Sequence, residues 1–271
     1  MASADLFALI LEPKSPRPYS EIGKIIAIEL GQIPADTISR VRYGSGILVT
    51  RRREEVVEEI ASLLKEIDVQ TRVIPNEILE ATPRGYRATQ LEFHEGALCV
   101  RSIGSMDLVI LDGDLKGIHV HAIPRDPSEI EESAGAFQMP IFSALKEGHI
   151  SPRALKIINW IQESGKPPPL FILTLYGSDP VGAVRFEREN TDYSMLGEDK
   201  LQHSIDNFIL LTEKILSMYP DLIHREHVSS FLERLNPEDI LYFKKEEMQN
   251  FDRWIQAWIR LENLDKTTNN R

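Results

Sequence analysis

The chain contains one cysteine, Cys99, in 271 residues. No intramolecular disulfide can form, cysteine-rich zinc and iron–sulfur sites are excluded, and a reducing, cytoplasmic setting is expected. Long apolar runs are missing as well, none approaching the roughly 20 residues that a membrane helix needs. The first apolar stretch, Leu6 to Leu11, has no basic segment before it and runs into Glu12-Pro13, so it reads as a strand and not as a signal peptide. There is no basic domain. The formal net charge is −11 and each third of the sequence is acidic, which argues against nucleic acid and against an anionic membrane surface as partners. Gly44-Ser45-Gly46 is too short for a dinucleotide fingerprint and reads as a turn. No serine sits in a Gly-x-Ser-x-Gly elbow, and Cys99, between Leu98 and Val100, reads as an inert buried strand thiol. Asp112 and Asp114 flank a turn glycine without the further ligands of a calcium loop. No cofactor is predicted.

Apolar residues make up 42% and charged residues 27% of the chain, enough for a folded core. The length favours two domains. Residues 1–83 read as a small α/β sandwich module. Leu6 to Leu11 is a continuous apolar run suited to a central strand. Helical patterns follow at Ser20 to Leu30, ending at Gly31, and at Ala35 to Val41. A strand at Ile47 to Val49 precedes a helix over Glu54 to Ile67, and a strand at Thr71 to Ile74 closes the module. Strands and helices in this order predict one sheet with helices over a face.

Residues 84–220 change character. Thr89 to Phe93, Ala97 to Arg101, Leu108 to Leu111 and Leu115 to Ile123 are separated by tight turns and predict a four-stranded antiparallel meander. Residues 125–169 form a polar, proline-punctuated insertion whose one clear helix, Pro152 to Gln162, has Ser151 as its N-cap. Strands are expected again at Leu170 to Leu175 and Ala183 to Glu187, followed by an amphipathic helix from Leu201 to Leu216 that Pro220 ends. Residues 221–271 read as a helical C-terminal tail, with a helix start at Asn236-Pro237-Glu238-Asp239 and apolar spacing through Met248, Phe251, Ile255 and Trp258. The fold class is therefore α+β.

Strands, an inserted loop, more strands and one closing helix resemble the pleckstrin-homology-like superfold, including its GRAM-type and bacterial forms. The turns Phe93-His94-Glu95-Gly96-Ala97-Leu98-Cys99-Val100 and Leu111-Asp112-Gly113-Asp114-Leu115-Lys116-Gly117-Ile118 are similar to those of the bacterial members. The strand turns carry Glu95, Asp112 and Asp114 where a phosphoinositide binder would have Lys and Arg. The resemblance thus implies a protein-binding or scaffolding use and not lipid binding.

Three groups of residues could carry function. His119 and His121, two apart on one expected strand, share a face in the geometry of a His-x-His metal pair, against the simpler reading of an exposed polar strand face. A third ligand would have to come from His94, Asp107, or His224 and His227. Arg51-Arg52-Arg53 stands at a strand-to-helix junction and could contact an acidic partner, or could pair with Glu54, Glu55, Glu58 and Glu59 on the helix that follows. Trp254 and Trp258 lie four apart on the last helix, where they serve either as core anchors or as a partner surface. The reading that results is a non-enzymatic interaction, regulatory or scaffold protein that binds another protein or itself. The acidic loop Glu129 to Ser133 and the tryptophan-bearing tail are the first surfaces to consider. The alternative is a metal-dependent hydrolase using His119 and His121.

Overall fold

A computed structural model describes residues 6–81, 85–102, 107–123, 125, 150–164, 169–179, 181–223, 225–234 and 245–269. The fold is α+β, as expected, and it divides into two compact units: residues 1–83 together with 245–271, and residues 84–244. The last helix is therefore not a separate tail. It belongs to the first unit, and the second unit is carried between the two segments of the first.

In the first unit, β1 (Phe7–Leu11) is the central strand of an antiparallel sheet, flanked by β2 (Ile47–Arg52) and β3 (Thr71–Pro75). Ala8, Leu9, Ile10 and Leu11 are all completely buried, which explains the unbroken apolar run: both faces of this strand are covered. Leu9 and Leu11 join Ile22 and Ile26 of α1 (Tyr19–Leu30), Val41 of α2 (Pro34–Tyr43), and Val57, Ile60 and Leu64 of α3 (Glu54–Lys65). The αL conformation of Gly31 ends α1, its N–H closing back on the carbonyls of the last turn. A short helix, α4 (Asn76–Glu80), leads out of β3. The terminal helix of the unit runs from Lys245 to Asn269 and packs against α4 and β2.

In the second unit the order along the sheet is β6-β5-β4-β9-β8-β7. The strands are β4 (Gly85–His94), β5 (Ala97–Ser102), β6 (Leu108–Leu111), β7 (Leu115–Ile123), β8 (Leu170–Gly177) and β9 (Ala183–Glu187). The first three form the expected antiparallel meander. The fourth does not extend it: β7 pairs with β8 at the far edge, and β4 pairs with β9 in parallel, so the sheet is mixed and not purely antiparallel. The physical reason lies in burial. β5 alternates between buried and more exposed residues, as a strand with one wet face must, whereas β7 is mostly buried on both faces and has to sit where both are covered.

A three-residue 3-10 turn, Asp112–Asp114, links β6 to β7 although the two lie at opposite edges. Six flat strands would separate these edges by roughly 24 Å, whereas the link from Leu111 to Leu115 spans at most about 14 Å. The sheet must curl until its edges approach. One core fills the concave side, drawing Leu98 and Val100 of β5, Ile110 of β6, Ile118 of β7, Leu173 of β8 and Phe186 of β9 into a single cluster. The next helix is α5 (Pro152–Ser164), where Ser151 caps as expected, its Oγ accepting from Ala154 N–H at 3.1 Å. The amphipathic helix is α6 (Ser204–Met218), which places Phe208, Ile209, Leu211 and Ile215 in the core. α7 (Arg225–Arg234) adds Val228, Phe231 and Leu232 and packs on β7, and the Lys245–Asn269 helix of the first unit is α8. The expected helix start at Asn236 to Asp239 and the acidic loop Glu129 to Ser133 lie outside the described residues.

Candidate functional site

The residues singled out in the sequence fall in different places. Trp254 and Trp258 are buried, at 0% and 7% exposure, and are core anchors of the first unit. Both indole N–H groups donate to one acceptor, the Leu11 carbonyl, at 2.7 and 3.0 Å. Gly46 backs this arrangement at φ +94, where an added Cβ would lie 2.6 Å from Trp254 Nε1. A partner surface on these tryptophans is thereby ruled out. Indole rings at i and i+4 are compatible with either role in a sequence, and only the position of the carbonyl decides.

Arg51 pairs away from the helix it precedes. Its side chain meets Glu80 of α4, with Nε–Oε1 at 2.8 Å, and its backbone N–H donates to Asn76 Oδ1. The Arg51 and Asn76 hydrogen bonds hold the Glu80 carboxyl below the usual carboxylate range. Arg52 and Arg53 are exposed and make no ion pair among the described residues. The expected pairing with Glu54, Glu55, Glu58 and Glu59 does not form there.

His119 and His121 do share a face, but that face is not exposed. Both are completely buried, their rings 4.3 Å apart edge to face, with His121 Nε2 3.4 Å from the Tyr176 hydroxyl. Of the proposed third ligands, His94 lies on an exposed strand end near Glu92, and Asp107 faces Arg101 at 3.8 Å. The side chains of His224 and His227 lie outside the described residues. Among the described residues no three His, Cys, Asp or Glu side chains gather as metal ligands.

Two other polar features belong to the second unit. Burial pushes the Glu189 carboxyl up, but hydrogen bonds from Arg125 and Arg188 outweigh it and hold the group below its ordinary value. Arg188, almost fully buried, also lies 5.7 Å from the centre of the Phe171 ring. Beside it a small recess is lined by Phe171, Arg188, Ile205, Phe208, Ile209 and Phe231, a set with no nucleophile and no general acid or base.

The feature that sequence reading missed is the edge of the curled sheet. The outer edge of β7 is already occupied, since Ile118 N–H donates to the Ile223 carbonyl at 3.2 Å and Ile223 N–H to the Lys116 carbonyl at 2.8 Å. Among the described residues the opposite edge, β6, pairs with β5 and with no other strand. Asp112 N–H donates to the Gly96 carbonyl, which fixes the phase of the ladder. Leu108 and Ile110 therefore bond to β5, and Val109 and Leu111 direct their N–H and C=O groups away from it. The side chains of Val109 and Leu111 are also 55% and 56% exposed, on the convex face of the sheet. One strand inward on that face lie Ala97 and Cys99, opposite Leu111 and Val109 in register. Cys99 is thus half-buried on an outer face and not an interior thiol. Alternation at 108–111 could have signalled an exposed face, but only the strand order reveals an open edge.

Acidic groups stand around this edge. Asp107 marks its start, Asp112 and Asp114 its end, and Glu95 sits in the adjoining turn. Tyr219 donates to Asp112 Oδ1 at 2.7 Å; burial, and then this bond, push the Tyr219 phenol well above its ordinary pKa. No helix among the described residues is long and apolar enough to cross a membrane. Comparison of the chain with protein-family models, with curated proteins and with solved structures finds no match.

Proposed function

We propose that the protein is a non-enzymatic interaction protein of the cytoplasm, which takes an extended segment of a protein partner onto the open edge of β6. The observation that carries the reading is the coincidence at Val109 and Leu111 of outward-facing backbone groups and exposed aliphatic side chains. An unpaired edge of this kind is a template for strand addition: main-chain hydrogen bonds supply affinity, and alternate side chains supply specificity. The chain makes such an addition in cis at the other edge, where Ile223 pairs with β7. The resemblance to the pleckstrin-homology-like superfold, with acids in place of a basic headgroup pocket, points to the same kind of use. So does the formal charge of −11, which disfavours nucleic acid.

The test is a comparison of partners recovered by the tagged protein and by Val109→Pro. Proline removes the outward N–H at residue 109 and leaves the bonds of Leu108 and Ile110 to β5 in place. A partner bound by the native chain and lost from a folded Val109→Pro chain supports strand addition. Unchanged recovery contradicts it.

A further inference from the structure

We infer that the segment received by β6 carries two aliphatic side chains spaced two residues apart, flanked on both sides by lysine or arginine. The inference rests on the strand-addition reading and adds the chemistry of the partner. The apolar part follows from the strip formed by Val109 and Leu111 with Cys99 and Ala97 beside them. A neighbouring strand would place alternate side chains on the same convex face, next to Val109 and Leu111.

The basic part follows from charge. The four-residue strand is bounded by Asp107 at one end and by Asp112 and Asp114 at the other, with Glu95 in the adjacent turn. Arg101 faces the first of these, and at 3.8 Å from Asp107, with both side chains about 60% exposed, it screens that end only in part. A strand ending in acids would meet like charge at both ends. This disfavours a second copy of the same chain: antiparallel pairing of β6 with itself brings Asp107 of each copy toward the Asp112 end of the other. The overall charge of −11 acts in the same sense, repelling a second copy and attracting a basic segment.

The experiment uses the full chain and two synthetic peptides that alternate valine and threonine, one flanked by two lysines at each end and the other by two glutamates. Binding is read by fluorescence anisotropy at low and high salt. The lysine-flanked peptide is expected to bind about tenfold more tightly at low salt, the size of two or three exposed charge contacts. The difference should shrink as salt is added. Val109→Pro should abolish binding, and Asp107→Lys should weaken the preference. Leu111→Asp, at an exposed side chain, serves as a second variant should the proline disturb the strand. Equal affinity for both peptides, lost in these edge variants, would overturn the charge inference while sparing strand addition. No edge-sensitive binding of either peptide up to its solubility limit would overturn both. A concentration-dependent dimer that dissociates in Val109→Pro would overturn the inference by naming a second copy as the occupant.

Discussion

Two indoles share one carbonyl in the first unit, and this makes a quantitative prediction about how their losses combine. Trp254→Phe removes a donor from Leu11 O and part of a fully buried ring. The carbonyl keeps Trp258 Nε1 at 3.0 Å, so no acceptor is stranded. The expected cost is about 2–3 kcal/mol, combining a hydrogen bond of roughly 1 kcal/mol with the cavity left by the smaller ring. Trp258→Phe should cost somewhat less, its bond being longer and its ring 7% exposed. The double variant removes both indole donors and adds a desolvation penalty of about 1–3 kcal/mol. The two substitutions should therefore be worse together than their sum by at least about 1 kcal/mol. Native-state hydrogen exchange at Leu9 and Ile10, completely buried in β1, reads the stability of this unit separately from the other. Additivity to within about 0.5 kcal/mol would refute the reasoning, since it would mean that the carbonyl finds another donor once both indoles are gone.

Gly46→Ala should destabilise the same unit severely, because it combines a φ of +94 with a methyl group placed 2.6 Å from Trp254 Nε1; a lowered unfolding midpoint in urea checks this. Deleting residues 245–271 should unfold the first unit instead of merely removing a tail, visible as collapse of exchange protection in β1. Glu189 has a depressed folded pKa, so the stability it contributes is present above its unfolded value and is lost as pH falls through the folded one. Glu189→Gln should flatten the acid limb of stability below about pH 4.3. Ile110→Pro should disrupt the β5–β6 ladder and lower the melting temperature, whereas Val109→Pro should leave it nearly unchanged, which circular dichroism melts distinguish.

Local pattern carried much of the fold. The unbroken apolar run Leu6 to Leu11 announced a strand covered on both faces, observed as Phe7–Leu11, and the spacing of Val57, Ile60 and Leu64 announced α3, because burial imposes those periods directly. Pairing between distant segments has no such local trace. Residues 115–123 follow the meander in sequence yet pair with β8, and nothing near them encodes the parallel contact of β4 with β9. The terminal helix shows the same limit. Its apolar face was legible, but the carbonyl of Leu11 to which its indoles bind lies some 240 residues earlier. His119 and His121 were read correctly as sharing a face and incorrectly as exposed, since polar side chains give no sign of what covers them. The open edge at β6 was invisible for a related reason: an edge is defined by the strand that is not beside it.

Amide hydrogen exchange along Leu108–Leu111, measured residue by residue by NMR with and without the lysine-flanked peptide, tests strand addition most directly. In the free protein Leu108 and Ile110, bonded to β5, should exchange slowly, while Val109 and Leu111 exchange fast. On binding, Val109 and Leu111 should become protected. Four equally protected amides in the free protein, or no gain of protection at Val109 and Leu111 when peptide saturates, would contradict an open, strand-accepting edge.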